Sequence, residues 1–476
     1  MDGSRVPREV WISLLTGLCW LTLGARAGMW TFVACLPAGL LLSTSGVNRL
    51  ISPGDERMVQ VMALGGAAGA LLGLLAIPGL GLASALILIA LSVWCFVAAG
   101  NVSLRSLPPT AEAPAPIPSV GLAAKVAVDS AILGGMLLSQ PLPMRKQGGA
   151  ESIAAELHAA RELFEQRGWL EKPADYHRTP LPLEAPQIRH SSVRHLRHGS
   201  VTFEHLAFES EYEPMTDEPG RDRWLSYAAN RSAHAWVLRH EGEPRPWLVC
   251  VHGYHMGAAV MDLGLFDPAY YHDKLGLNLL LPTLPLHGRR KLGRLSGQGY
   301  LVGNVMDTLH AQSQAIWDIR RLISWVRGQG APPVGIHGVS LGGYTAALLP
   351  CLEADLACTI AGIPLTDFTD LFWTHASPAD RIRLEDAGVT RDVTAEVFRV
   401  VSPLAMEPML PAERRTIYGG VADLLVRPHQ VRNLRRHWGD ARMVWYQGSH
   451  TSFFRDRDVR GAVDDTLRAA GLVGGA

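Results

Sequence analysis

Between Arg57 and Arg105 the chain carries no Lys, Arg, Asp or Glu. An uncharged stretch of that length excludes a solvated surface and points to helices in lipid. Lysine is scarce throughout: Lys125, Lys146, Lys172, Lys274 and Lys291 are the only ones among 44 basic residues. This bias follows a GC-rich bacterial coding sequence, since arginine codons are GC-rich, and says little about partners. The 44 acidic residues bring the formal net charge to zero. No overall field favours nucleic acid, and none is expected as a partner. The six cysteines, at 19, 35, 95, 250, 351 and 358, include no C-x-x-C pair. Free buried thiols are expected, and the spacing argues against structural zinc. With no Walker motif, Rossmann fingerprint or metal-ligand cluster, no cofactor and no metal is implied.

What the N-terminal third does have is apolar length. Residues 58–79 (MVQVMALGGAAGALLGLLAIPG) and 82–100 (LASALILIALSVWCFVAAG) are each long enough to cross a hydrocarbon core, which takes about 20 helical residues. Gly65, Gly66, Ala67, Ala68 and Gly69 allow the two helices to approach closely. The run 10–45 would make one helix of about 50 Å, too long for a single span. Arg26 in its middle costs about 2.5–3.5 kcal/mol at a bilayer centre. Two short helices, 10–23 and 29–44, turning near 24–28, relieve both problems. A cleaved signal peptide is disfavoured, because the apolar run continues past any cleavage site and further apolar segments follow. Residues 1–105 are therefore expected to form an anchor of about four transmembrane helices.

With four spans, Arg5, Arg8, Arg49, Arg57 and Arg105 all fall on one side. The positive-inside rule makes that side cytoplasmic, and only Arg26 opposes it. Three spans would put the rest of the chain outside. Residues 106–199 form a second region. Its Pro-rich 107–119 (LPPTAEAPAPIPS) reads as a stiff linker. Residues 121–138 are apolar but carry Lys125 and Asp129 at i, i+4, which suggests a helix on the membrane surface or against the following domain, a fifth span being the alternative. An amphipathic helix is expected over 151–168, with Ile153, Leu157 and Leu163 on one side.

From residue 200 to 476, strands and helices alternate, the pattern of an α/β domain with a mostly parallel sheet covered on both faces. Eight strands are expected: 201–208, 234–238, 247–251, 277–282, 334–337, 358–363, 415–418 and 443–446. Helices fit at 312–326, 341–352 and 459–469.

The strongest chemical signal is Gly335-Ile-His-Gly338-Val-Ser340-Leu-Gly342-Gly343, a G-x-S-x-G between a strand and a helix. Such a turn needs small residues two before and two after the serine, because the backbones pack closely there. The helix N-terminus beneath favours developing negative charge. On this motif and the strand order, residues 200–470 resemble the α/β-hydrolase superfamily, which implies an eight-stranded hydrolase fold with Ser340 as nucleophile. The resemblance covers a little over half the chain and none of the anchor. It implies an oxyanion hole from the backbone N–H groups of Tyr254, in the strand-end segment VCVHGYHMG, and Leu341. His252 and His255 are read as structural or lining. Asp423, just past the strand-like TIYGG, matches the position of the superfamily's triad acid, a helix-capping Asp being the plain alternative. His450, in GSHTSFF after the last strand, completes the order Ser, Asp, His.

Weaker candidates remain. His287 fits a packing or turn-stabilising role. His190, His195 and His198, interleaved with Arg189, Arg194 and Arg197, read as a solvated loop, with anionic lipid headgroups as the alternative. Residues 364–411 form an insertion long enough for a helical lid, opening with Phe368, Leu371, Phe372 and Trp373, which line an entrance or pack the lid onto the core. The expected activity is hydrolysis of a carboxylic ester of a lipid or other hydrophobic acyl compound. A prolyl-oligopeptidase-like peptidase, a thioesterase or acyltransferase, and a catalytically idle membrane scaffold are the alternatives.

Overall fold

In a computed structural model of the chain, Gly28 takes φ 99°, a backbone region open mainly to glycine. There the first apolar run breaks into the helices Arg8–Arg26 and Met29–Ile51. The turn falls where the sequence places it, but both helices exceed the short ones expected over 10–23 and 29–44. Arg26 ends the first helix rather than interrupting a long one. The structure describes residues 7–52, 55–139, 148–195, 197, 199–301, 303–330, 332–439 and 441–474; Arg5 and His198 lie outside them.

The chain divides into two units: residues 1–140 with 419–429 and 445–456, and residues 141–418 with 430–444 and 457–476. The first unit holds four helices long and apolar enough to cross a membrane, Met29–Ile51, Glu56–Leu80, Leu82–Ser106 and Val120–Ser139. That number matches the expectation, but the membership differs. Val120–Ser139, for which a span was the alternative, is among them, while Arg8–Arg26, which carries charge at both ends, packs into the same bundle through Trp20, Ile12 and Leu23. A buried cluster including Trp20, Cys35, Leu42, Met62, Leu88 and Cys95 joins the helices. Trp20 Nε1 donates to Ser92 Oγ at 2.9 Å, which satisfies an indole that burial would otherwise penalise. Small residues set the crossings. A Cβ on Gly66 would stand 2.8 Å from the Phe96 nitrogen, and one on Gly100 would stand 1.9 Å from the Ala123 carbonyl oxygen.

The second unit is built on a sheet of order β1-β2-β3-β5-β4-β6-β7-β8-β9. The strands are β1 Gln187–His195, β2 Gly199–Glu209, β3 Ser232–Leu238, β4 Trp247–Val251, β5 Asn278–Thr283, β6 Val334–Val339, β7 Cys358–Gly362, β8 Arg415–Gly420 and β9 Arg442–Tyr446. β1, β2, β3 and β5 pair antiparallel in that order. β5, β4, β6, β7 and β8 pair parallel. The sequence led to eight strands, and β1 is the ninth. Its residues QIRHSSVRH are almost all exposed, so no alternation of apolar and polar residues marks them, and an edge strand needs none. His190 and His195 therefore belong to a hairpin, not a loop. By contrast β4, β5, β6 and β7 are wholly buried, as strands covered on both faces must be.

Between β7 and β8 the expected insertion forms three helices, Phe368–His375, Pro378–Asp386 and Arg391–Phe398. Phe368 is buried, its ring 4.2 Å from that of Tyr344 and 5.3 Å from that of Phe398. Trp373 is buried as well, whereas Leu371 and Phe372 are half-buried. Of the two roles read for these residues, Phe368 takes the packing one.

Candidate active site

β6 ends at Val339, and the helix Leu341–Leu348 begins one residue after Ser340. Ser340 spans the corner at φ 60°, ψ −115°. A non-glycine residue held there costs on the order of 1–3 kcal/mol, so its surroundings must over-determine it. They do: its N–H donates to the Gly362 carbonyl at 2.8 Å, and its carbonyl accepts from Tyr344 N–H at 3.0 Å and Leu365 N–H at 3.3 Å. The glycines that flank it meet backbone. A Cβ on Gly338 would lie 1.9 Å from the Gly342 oxygen, and one on Gly342 would lie 2.0 Å from the Val251 oxygen.

Beside the corner runs the loop after β4. A Cβ on Gly253 would lie 3.5 Å from that of Ser340, so this loop passes against the serine. Asp262, fully buried, holds it from behind: Oδ1 accepts Gly257 N–H at 2.9 Å and Oδ2 accepts Trp236 Nε1–H at 3.0 Å. Ser296 holds it from the other side, its Oγ donating to the Met256 carbonyl and its own carbonyl accepting from His255 Nδ1 at 2.6 Å. His252 is likewise engaged with backbone. Nδ1 donates to the Gly253 carbonyl at 2.8 Å while Nε2 accepts Leu284 N–H at 3.1 Å. A carbonyl can only accept and an N–H only donate, so this ring is neutral with its proton on Nδ1. His287 donates from Nδ1 to the Pro285 carbonyl at 2.9 Å, and burial pushes its pKa well below the ordinary value. Asp262 and Ser296 carried no signal in the sequence, because a lone Asp or Ser in a loop looks like any other.

The remaining residues gather in the first unit. Asp423 follows β8 and is fully buried; its Oδ1 accepts the N–H groups of Leu425 and Val426, each at 2.9 Å. Its Oδ2 meets His450 Nδ1 at 2.7 Å. An ionised carboxylate only accepts, so Nδ1 carries the proton and Nε2 is the basic nitrogen of the neutral ring. Burial lowers the imidazole pKa, but the Asp423 charge and hydrogen bond, with the Asp129 charge, outweigh it and leave it raised. The His450 loop is itself fixed: Ser449 N–H donates to Ser452 Oγ at 2.8 Å, and the Tyr446 hydroxyl donates to the Ser449 carbonyl at 2.9 Å.

Among the sequence-predicted residues, the structure thus joins Asp423 to His450 in the first unit. In the second it sets Ser340, Leu341 and the Gly253–Tyr254 segment side by side. It also adds Asp129, noticed in the sequence only for its spacing from Lys125.

The family model for alpha/beta hydrolase domain containing 18 matches residues 273–375. Two relatives from Mycobacterium tuberculosis, strains CDC 1551 / Oshkosh and ATCC 25618 / H37Rv, each named only as an uncharacterized protein, are 41% identical over 359 residues. The matched region is 75% of this chain and 84% of either relative. Among solved structures, acetyl xylan esterase 1 from Thermoanaerobacterium sp. JW/SL YS485 is 15% identical with a TM-score of 0.43, over 64% of this chain and 93% of that one.

Proposed function

We propose that this chain, which belongs to the α/β-hydrolase superfamily and to one family with the two mycobacterial proteins, is a membrane-anchored serine hydrolase of carboxylic esters. The observation that carries the reading is the 2.7 Å contact between Asp423 and His450, in a chain whose Ser340 sits on a strained strand-to-helix corner. In this mechanism Ser340 Oγ attacks the ester carbonyl while His450 Nε2 takes the hydroxyl proton. The same proton passes to the leaving alcohol as the tetrahedral intermediate collapses to an acyl-serine. Water then attacks the acyl group with His450 again as base, releasing the acid and restoring Ser340. Asp423 holds the ring orientation and its Nδ1–H tautomer. The N–H groups of Tyr254 and Leu341 receive the oxyanion, one such donor contributing about 2.7–4 kcal/mol.

The substrate class follows from the surroundings. Long apolar helices in the same chain and the half-buried Leu371 and Phe372 at the start of the lid favour a lipid or other hydrophobic acyl ester over a hydrophilic one. We place the anchor in the bacterial inner membrane. Crossings by the four apolar segments before residue 106, the first of them Arg8–Arg26, put Arg5, Arg8, Arg49, Arg57 and Arg105 together on the cytoplasmic side, and the chain that follows returns to that side.

Labelling by a fluorophosphonate probe in membranes tests the mechanism. Wild type should label, and Ser340→Ala and His450→Ala should not. Folded, detergent-extracted wild type that stays unlabelled would leave the idle scaffold as the better reading. With labelling in hand, p-nitrophenyl esters of increasing chain length should show a preference for longer acyl groups.

A further inference from the structure

The apolar helix Val120–Ser139 holds one carboxylate, Asp129, and it is fully buried. Its Oδ2 accepts two backbone N–H groups, from His450 at 2.9 Å and from Leu424, the neighbour of Asp423, at 3.2 Å. Its Oδ1 has no hydrogen-bond partner among the described residues. One oxygen therefore clamps together two loops that follow different strands, each bearing one member of the acid–base pair.

The helix grips the same loops elsewhere. Lys125 Nζ donates to the Gln447 carbonyl at 3.3 Å, and the Lys125 carbonyl accepts from Ser449 Oγ at 3.0 Å. Leu122 and Val126 pack on Val421 and Ala422. Ahead of the helix, the 107–119 linker is tied to the same loop, Ile117 N–H donating to Gln447 Oε1 at 3.0 Å and Gln447 Nε2 to the Ala115 carbonyl at 3.2 Å.

We propose that Asp129 is a positioning residue: through the backbone of His450 and Leu424 it sets the geometry in which Asp423 orients His450. The proposal rests on the serine-hydrolase reading above. A buried carboxylate is a costly choice for this helix, since taking its charge out of water carries a desolvation penalty. It is repaid only by donors that would themselves be left unsatisfied if it were absent. Leucine or alanine would suit the apolar packing; neither could receive the two N–H groups. Displacement of a catalytic base by about 1 Å costs on the order of 100-fold in rate, so the clamp acts on chemistry without touching substrate.

The test uses the full chain in detergent and the time course of fluorophosphonate inactivation at several probe concentrations. Asp129→Ala should lower the maximal inactivation rate about 10- to 100-fold and leave the half-saturating probe concentration unchanged. Asp129→Asn keeps an oxygen that accepts both N–H groups and should stay within about threefold of wild type, the loss reflecting weaker uncharged hydrogen bonds. Asp129→Leu keeps the volume, loses the acceptor and should behave like the alanine variant; it replaces that variant if the latter does not fold. Inactivation of the alanine or leucine variant at the wild-type rate overturns the proposal. So does an asparagine variant as slow as they are, because the loss would then come from packing. Ser340→Ala separates the two levels. If it still labels, the serine-hydrolase reading fails. If it does not, while the alanine or leucine variant at 129 reacts normally, only the role of Asp129 fails.

Discussion

His450 combines two opposing influences. Burial lowers its pKa, and the Asp423 carboxylate, their shared hydrogen bond and the Asp129 charge more than reverse that, leaving it above its ordinary 6.5. A general base works only when neutral. Labelling of Ser340 should therefore climb with pH through a midpoint above 6.5, and a midpoint at or below that value would show that the pair with Asp423 is not formed. Stability has the opposite slope. A folded-state pKa raised above the unfolded one means that the pair's contribution is fully present below the unfolded value and lost as pH rises through the folded one. The difference in Tm between wild type and His450→Ala should therefore shrink as pH rises above the ordinary 6.5, and a difference that grows would contradict the raised pKa. Neither slope can be read from the sequence, because Asp423 and Asp129 approach His450 only after folding.

Among elements, the corner between β6 and the helix Leu341–Leu348 is the most constrained. Gly342 faces two carbonyl oxygens, and an added Cβ would come within 2.0 Å of Val251 and 2.6 Å of His252. Both are backbone atoms of β4 and the loop after it, so neither can swing aside. Gly342→Ala should cost about 3 kcal/mol or more, seen as a Tm lowered by about 6 °C or more. An unchanged Tm would mean that the corner is looser than this geometry. The glycine spacing in G-x-S-x-G is a direct imprint of that steric demand, which is why the corner was legible in the sequence. β1 had no such imprint. Its pairing with β2 rests on backbone hydrogen bonds, for which exposed His, Ser and Arg serve as well as any other residues.

At the scale of the whole molecule, the chain combines long apolar helices with an α/β-hydrolase fold. The long apolar helices of the first unit should keep the protein in the membrane fraction through a high-pH carbonate wash and release it only into detergent; release by carbonate would exclude spanning. Tags at the two termini should be accessible from the same, cytoplasmic face, and accessibility from opposite faces would defeat the four-crossing arrangement. The units do not follow chain order, because segments 419–429 and 445–456 join residues 1–140. Composition changes along the sequence and so marks the anchor, whereas a loop that leaves the sheet to pack against a distant helix leaves no trace in composition.

Residue order alone carries the parts whose constraints are local. These are the apolar lengths that make membrane-competent helices, the buried strands, the small residues around Ser340, and the order of Ser340, Asp423 and His450. Which carboxylates stand near the imidazole follows from the folding of distant segments onto one another. Asp423 and His450 are separated by 27 residues and Asp129 and His450 by 321. Hydrogen bonds across such distances depend on how the chain folds back, and a helix expected on the membrane surface or against the following domain carries no mark of the two N–H groups its one carboxylate receives.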